Sequence, residues 1–138
     1  MNKKVDTLED LLLHTIYKFD AEYIYGRIST RASLSIKRLT GFNLYNYLFV
    51  LDSGHLKHFY EQHFDEEREH KRNQRGFHFD DLKKLMLVIN QHEAVELGNK
   101  PNRIKFKKTF PGLGLFQLVV EIDKKKETIS GKSFRVKT

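Results

Sequence analysis

The chain has 138 residues, 39% of them hydrophobic, with eleven Phe and six Tyr, which suits one hydrophobic core and is too short for two. No apolar run approaches the roughly 18–20 residues that cross a bilayer, and the acids of MNKKVDTLEDLLLH leave no apolar leader, so neither membrane insertion nor secretion is expected. The absence of cysteine excludes disulfides, thiolate zinc sites and cysteine nucleophiles, and fits a reducing cytosol. The net charge of +7 is uneven. Residues 1–98 are close to neutral, and the whole basic excess lies in residues 99–138, where Glu121, Asp123 and Glu127 are the only acids. A localised basic segment is the electrostatic footprint of a polyanion partner, nucleic acid above all, against the plain alternative of a solvated strand surface.

Thr7 followed by Asp10 resembles a capping box, and Leu8, Leu12, Ile16, Phe19 and Tyr23 recur at helical spacing, so a helix is expected up to Gly26. Residues 29–40, STRASLSIKRLT, predict a second helix ending at Gly41. The aromatic and β-branched run Leu44–Leu51 reads as extended. Asp52-Ser53 then caps a helix through about Phe64, and the polar stretch 65–78 reads as a helix end and loop. Asp80 opens a further helix whose stripe is Leu82, Leu85, Met86 and Ile89, ending near Gln91. Beyond it the period changes to two: Val95–Leu97, Arg103–Thr109, Leu115–Ile122 and Ile129–Val136 predict strands separated by glycine-bearing turns. Helices followed by an antiparallel meander argue an α+β fold, with N-terminal helices packed on a small twisted antiparallel sheet of three to four strands.

Strand alternation assigns the faces. Ile104 and Phe106 point one way, and Arg103, Lys105 and Lys107 the other; Phe134 and Val136 oppose Ser133, Arg135 and Lys137. Leu115–Ile122 is apolar on both faces apart from Gln117 and Glu121, so it should be the most buried strand. The resulting Lys/Arg/Ser/Gln face could cradle a phosphate backbone, although a wet face is also the ordinary state of an antiparallel sheet.

Of seven histidines, His55, His58 and His63 fall in one short segment. At about 100° per residue, His55 and His58 stand about 60° apart, and His58 and His63 about 140°. With no i, i+4 pair and no HExxH, a metal site is not expected. His63 continues the apolar stripe of Leu56, Phe59 and Tyr60 and should face the core or the sheet, with His58 to one side. An imidazole can give or take a proton near neutral pH, and cleavage of RNA through its own 2′-hydroxyl needs an acid, a base and fixed cations. A hydrogen-bonded core histidine is the alternative reading of His63.

The segments KRLTGFNLYNYLFVLDSGHLKHFYEQH, EREHKRNQRGFHFDDLKKLMLVI, RIKFKKT and LVVEIDKKKETISGKSFRV occur in an order that resembles the phage and mobile-element branch of the barnase–EndoU–colicin–RelE-like nucleases. The resemblance is strongest to the domains appended to phage MuF-like head-morphogenesis proteins. It spans residues 36–138. It implies a metal-independent, toxin-type endoribonuclease without cofactors, with helices packed against a four-stranded antiparallel sheet. His58 and His63 match the family's histidine helix, and Ser133, with Lys132 beside it, matches the late hydroxyl-bearing strand. The family has Thr-aromatic there; Ser133-Phe134 keeps the hydroxyl.

Together these readings predict one domain, with residues 1–35 a helical extension and 36–138 a nuclease-like core. His58, His63 and Ser133 are the expected catalytic residues, with acid and base unassigned between the histidines. Lys105, Lys107, Lys132 and Arg135 are expected to hold the phosphates of RNA, and the products to end in a 2′,3′-cyclic phosphate. An acidic immunity or antitoxin protein is an expected partner and the bacterial cytosol the expected place of action. A non-catalytic nucleic-acid-binding module and a phage structural domain are the competing readings.

Overall fold

The computed structural model describes residues 3–63, 74–75 and 78–138, the side chains of residues 62, 63, 74 and 75 excepted. Its strands are β1 (Lys3–Val5), β2 (Ala21–Arg27), β3 (Leu48–Asp52), β4 (Gln74–Arg75), β5 (Ala94–Leu97), β6 (Arg103–Phe110), β7 (Gly114–Asp123) and β8 (Thr128–Lys137). The helices described are α1 (Leu8–Ile16), α2 (Thr30–Thr40), α3 (Ser53–His63), α4 (Phe79–Leu82) and α5 (Leu85–Asn90). The strands form one sheet in the order β1-β2-β3-β8-β7-β6-β5, with β4 paired to β8 off that path. The α+β class and the C-terminal meander β5–β8 follow the sequence expectation. The sheet itself is larger than the three to four strands expected, because β1, β2 and β3 extend it.

Two causes explain the difference. The helix expected to run to Gly26 ends at Ile16, with Thr7 accepting from the Asp10 backbone at its start. Lys18 then takes a left-handed φ of 63°, which breaks the spiral, and Ala21–Arg27 pairs antiparallel with β3 instead. Second, β3 pairs parallel with β8, placing Leu48 opposite Thr128 and Val50 opposite Ser130. Such pairing between distant segments leaves no mark in local periodicity. The helix expected from Asp80 is divided in two, α4 and α5, at Lys83-Lys84. By contrast α2 has the expected ends: Ser29 accepts from the Ala32 backbone, and Gly41 closes the helix in the left-handed region at φ 85°.

The helices cover one face of the sheet. Phe59 of α3 packs on Phe134 of β8, Phe134 on Phe116 of β7, and His92, just beyond α5, on Phe106 of β6. Leu56, Phe59, Phe106, Phe116 and Phe134 are all fully buried. Gly131 of β8 lies under α3, where a Cβ would stand 3.3 Å from Leu51 Cδ1 and 3.5 Å from Phe59 Cζ. Its missing side chain lets α3 sit close to the sheet. Among the described residues no helix is long and apolar enough to cross a membrane.

Candidate active site

On the opposite face, β6, β7 and β8 set polar side chains in register. Lys105, Val119 and Ser133 form one row across the three strands, and Lys107, Gln117 and Arg135 the next. In a third row Arg103 faces Glu121, whose Oε2 accepts from Arg103 Nη2 at 3.2 Å and from Nε at 3.3 Å. Of these rows Arg103, Lys105, Gln117, Val119, Ser133 and Arg135 floor a groove of about 290 Å³ bounded by Glu96–Lys100 of β5 and the turn after it. Neighbouring strands run about 4.8 Å apart, so β6 and β8 stand about 10 Å apart across the groove. That span admits one phosphodiester backbone with cations on both sides.

A bulge aims one of those cations. Ser133 opposes Val119 and Gly131 opposes Val120, which leaves Lys132 as the extra residue of β8. Strict alternation would turn Lys132 toward the helices with Phe134. The bulge brings it out beside Ser133 instead, a common use of bulges at functional sites. Its ammonium stands 3.9 Å from Glu121 Oε2 and 3.2 Å from His55 Nε2.

His55 is held there by its own helix start. Asp52 ends β3 and caps α3, its Oδ1 accepting from the His55 backbone N–H at 2.7 Å. A cap carboxylate at this position also reaches the side chain of the residue it caps, and Oδ1 accepts from His55 Nδ1 at 2.8 Å. Since a carboxylate can only accept, the proton lies on Nδ1, and Nε2 offers its lone pair to the Lys132 ammonium. Burial pushes the Asp52 carboxyl up, but the side-chain and backbone hydrogen bonds from His55, then the electrostatic pull of His55 and of Lys132, outweigh it and hold the group below the usual aspartate value. The result is a relay of partners, Asp52–His55–Lys132–Glu121–Arg103, running from the α3 start across β8 and β7 to β6.

The expected site residues are placed differently. Lys105, Ser133 and Arg135 line the groove, and Lys132 joins it to His55. Lys107 shares the row of Gln117 and Arg135 but lies outside the groove lining, paired to Glu96 at 3.3 Å. His58 is half-buried one turn beyond His55, about 60° round and about 4.5 Å up the helix, and makes no hydrogen bond among the described residues. The side chain of His63 lies outside the described residues. Among the described residues, the imidazole that meets Lys132 is His55, which, like Asp52, Arg103 and Glu121, the sequence reading did not propose as a site residue. The signal was present in Asp52-Ser53-Gly54-His55: a histidine three residues after a capping aspartate stands where its ring can reach the same carboxylate. Among the described residues no three His, Asp or Glu side chains converge as a metal-ligand set requires.

The groove holds a hydroxyl and several cations, and a tautomer-fixed imidazole meets Lys132, the chain neighbour of its Ser133, which are the group types that hydrolysis or transfer at a phosphodiester needs. No curated protein and no solved structure matches the chain significantly. A family model does match, over residues 26–138, which takes in every residue of the relay. The chain therefore belongs to the nuclease family described as phage-Barnase-EndoU-ColicinE5/D-RelE like nuclease3.

Proposed function

We propose that this nuclease is a metal-independent endoribonuclease of toxin type, in which His55 serves as the general base. The observation that carries the reading is the Asp52–His55–Lys132 contact at the edge of the cationic groove. In the resting site the Lys132 ammonium occupies the Nε2 lone pair. A bound phosphodiester, with its full negative charge, competes for that ammonium and frees Nε2 to take the proton of the 2′-hydroxyl. The 2′-oxygen then bonds to phosphorus and the P–O5′ bond breaks. O5′ leaves with a proton from His58, giving a 2′,3′-cyclic phosphate and a free 5′-hydroxyl. Lys132, Lys105 and Arg135 neutralise the charge that develops on the phosphorane, and the Ser133 hydroxyl donates to one of its oxygens. Asp52 stabilises the imidazolium formed at His55. An acidic inhibitor protein is the partner whose charge fits this groove.

The test is incubation with RNA in EDTA, followed by analysis of the product ends. Cyclic phosphate termini are expected, with cleavage lowered ~10²-fold or more in His55→Ala, the scale of a lost acid–base group. His58→Ala is expected to lower it less, since solvent can protonate the leaving oxygen. A salt-sensitive gel shift without cleavage would replace this reading with a binding module.

A further inference from the structure

Gln117 occupies the middle of the polar face and is only 7% exposed. Its backbone is paired on both sides, to Lys107 and to Arg135. Yet its side-chain amide makes no hydrogen bond among the described residues. A buried amide without partners is destabilising, and such exceptions in native proteins call for a reason. Here the reason is at hand, because Gln117 lines the groove together with Lys105, Ser133 and Arg135.

We infer that Gln117 reads the base of the nucleotide beside the scissile phosphate, and that it selects keto bases, guanine and uracil, over adenine and cytosine. The inference rests on the ribonuclease reading for its substrate and adds the specificity. An amide offers one donor and one acceptor in a plane, which matches the adjacent carbonyl and ring N–H of guanine (O6, N1–H) and of uracil (O4, N3–H). Adenine and cytosine also pair a donor with an acceptor, and an amide can turn over to meet them. The flanking cations decide between the two. Lys105 and Arg135 can only donate, so they favour a base whose exocyclic group is a carbonyl and disfavour one that presents an amino group.

Binding of the four nucleoside 3′-monophosphates, measured by calorimetry in EDTA, tests this without requiring turnover. The wild-type protein is expected to bind guanosine and uridine 3′-monophosphates about tenfold or more tightly than the adenosine and cytidine compounds, the scale of one bidentate pair. Gln117→Leu should bring the four within about threefold. Gln117→Glu, whose carboxylate only accepts, loses the donor to the base carbonyl and should lose uridine while keeping guanosine, which presents N1–H and its 2-amino group side by side. Thermal unfolding of each variant establishes that it is folded. Equal binding of all four by the wild type, binding of none, or an unchanged order in folded Gln117→Leu overturns the inference. Selective binding by a protein that cuts no RNA would uphold the base site and remove the ribonuclease reading instead.

Discussion

Asp52→Asn separates the two duties of one oxygen. Asp52 Oδ1 caps α3 at the His55 backbone and also receives Nδ1 of the His55 ring. Asparagine is as good an N-cap as aspartate, so the helix start survives and stability should fall by less than about 1 kcal/mol. The ring loses more. A charge-assisted hydrogen bond exceeds a neutral one by roughly 1–2 kcal/mol, which is about 5- to 30-fold in rate if the imidazolium forms in the transition state. The amide can also turn its NH₂ onto Nδ1 and so fix the unproductive tautomer, which takes the expected loss to ~10²-fold. Asp52→Ala removes the cap as well and should cost about 1–2 kcal/mol of stability. Single-turnover cleavage of a fluorogenic RNA, beside thermal unfolding of both variants, reads the two effects apart. Wild-type cleavage by Asp52→Asn would refute the orienting role, and equal destabilisation by Asn and Ala would refute the division of duties.

Three further outcomes are expected. The stabilisation due to the Asp52 hydrogen bonds is fully present above the ordinary aspartate value of about 4 and is lost as pH falls through the lower folded value, so an acid melt of Asp52→Asn should be flatter than wild type in that window. Gly114→Ala should destabilise by about 2 kcal/mol or more in urea titrations, since Gly114 has φ 122° and a Cβ would stand 2.5 Å from the Lys137 carbonyl oxygen. Phe59→Ala, which empties the contact between α3 and Phe134, should cost about 3–5 kcal/mol in the same assay and lower cleavage by loosening the His55 position.

Where the sequence was legible, one local rule sufficed. Ser29 and Gly41 bound α2 because a capping hydroxyl and a left-handed glycine act within a single turn. The alternation of β6 and β8 assigned Lys105, Lys107, Ser133 and Arg135 to one face because strand period is a two-residue property. Misreadings arose where distant pairing overrode the local pattern. Ile16, Phe19 and Tyr23 kept helical spacing, yet Ile16 and Phe19 are exposed and Tyr23 belongs to a strand whose partner is β3. Lys132 was expected on the polar face, but its meeting with His55 depends on a bulge and a parallel pairing that no window of sequence contains. His55 was missed because facing in that helix was argued from the apolar stripe, whereas the first turn answers to its cap.

The seating of β8 between β3 and β7 also governs when chemistry can first arise during folding. Asp52 and His55 belong to a strand–helix corner that can organise from nearby residues, whereas Lys132 lies 77 positions further along. Closing so long a loop is entropically slow, and the meander gains its place in the sheet only when β8 docks along β3. Neither half of a chain severed within residues 64–73 would possess the relay, but two such fragments mixed together could regenerate it by re-pairing β3 with β8. Completion of the relay in this architecture is thus a late and collective event, reporting on closure of the whole sheet.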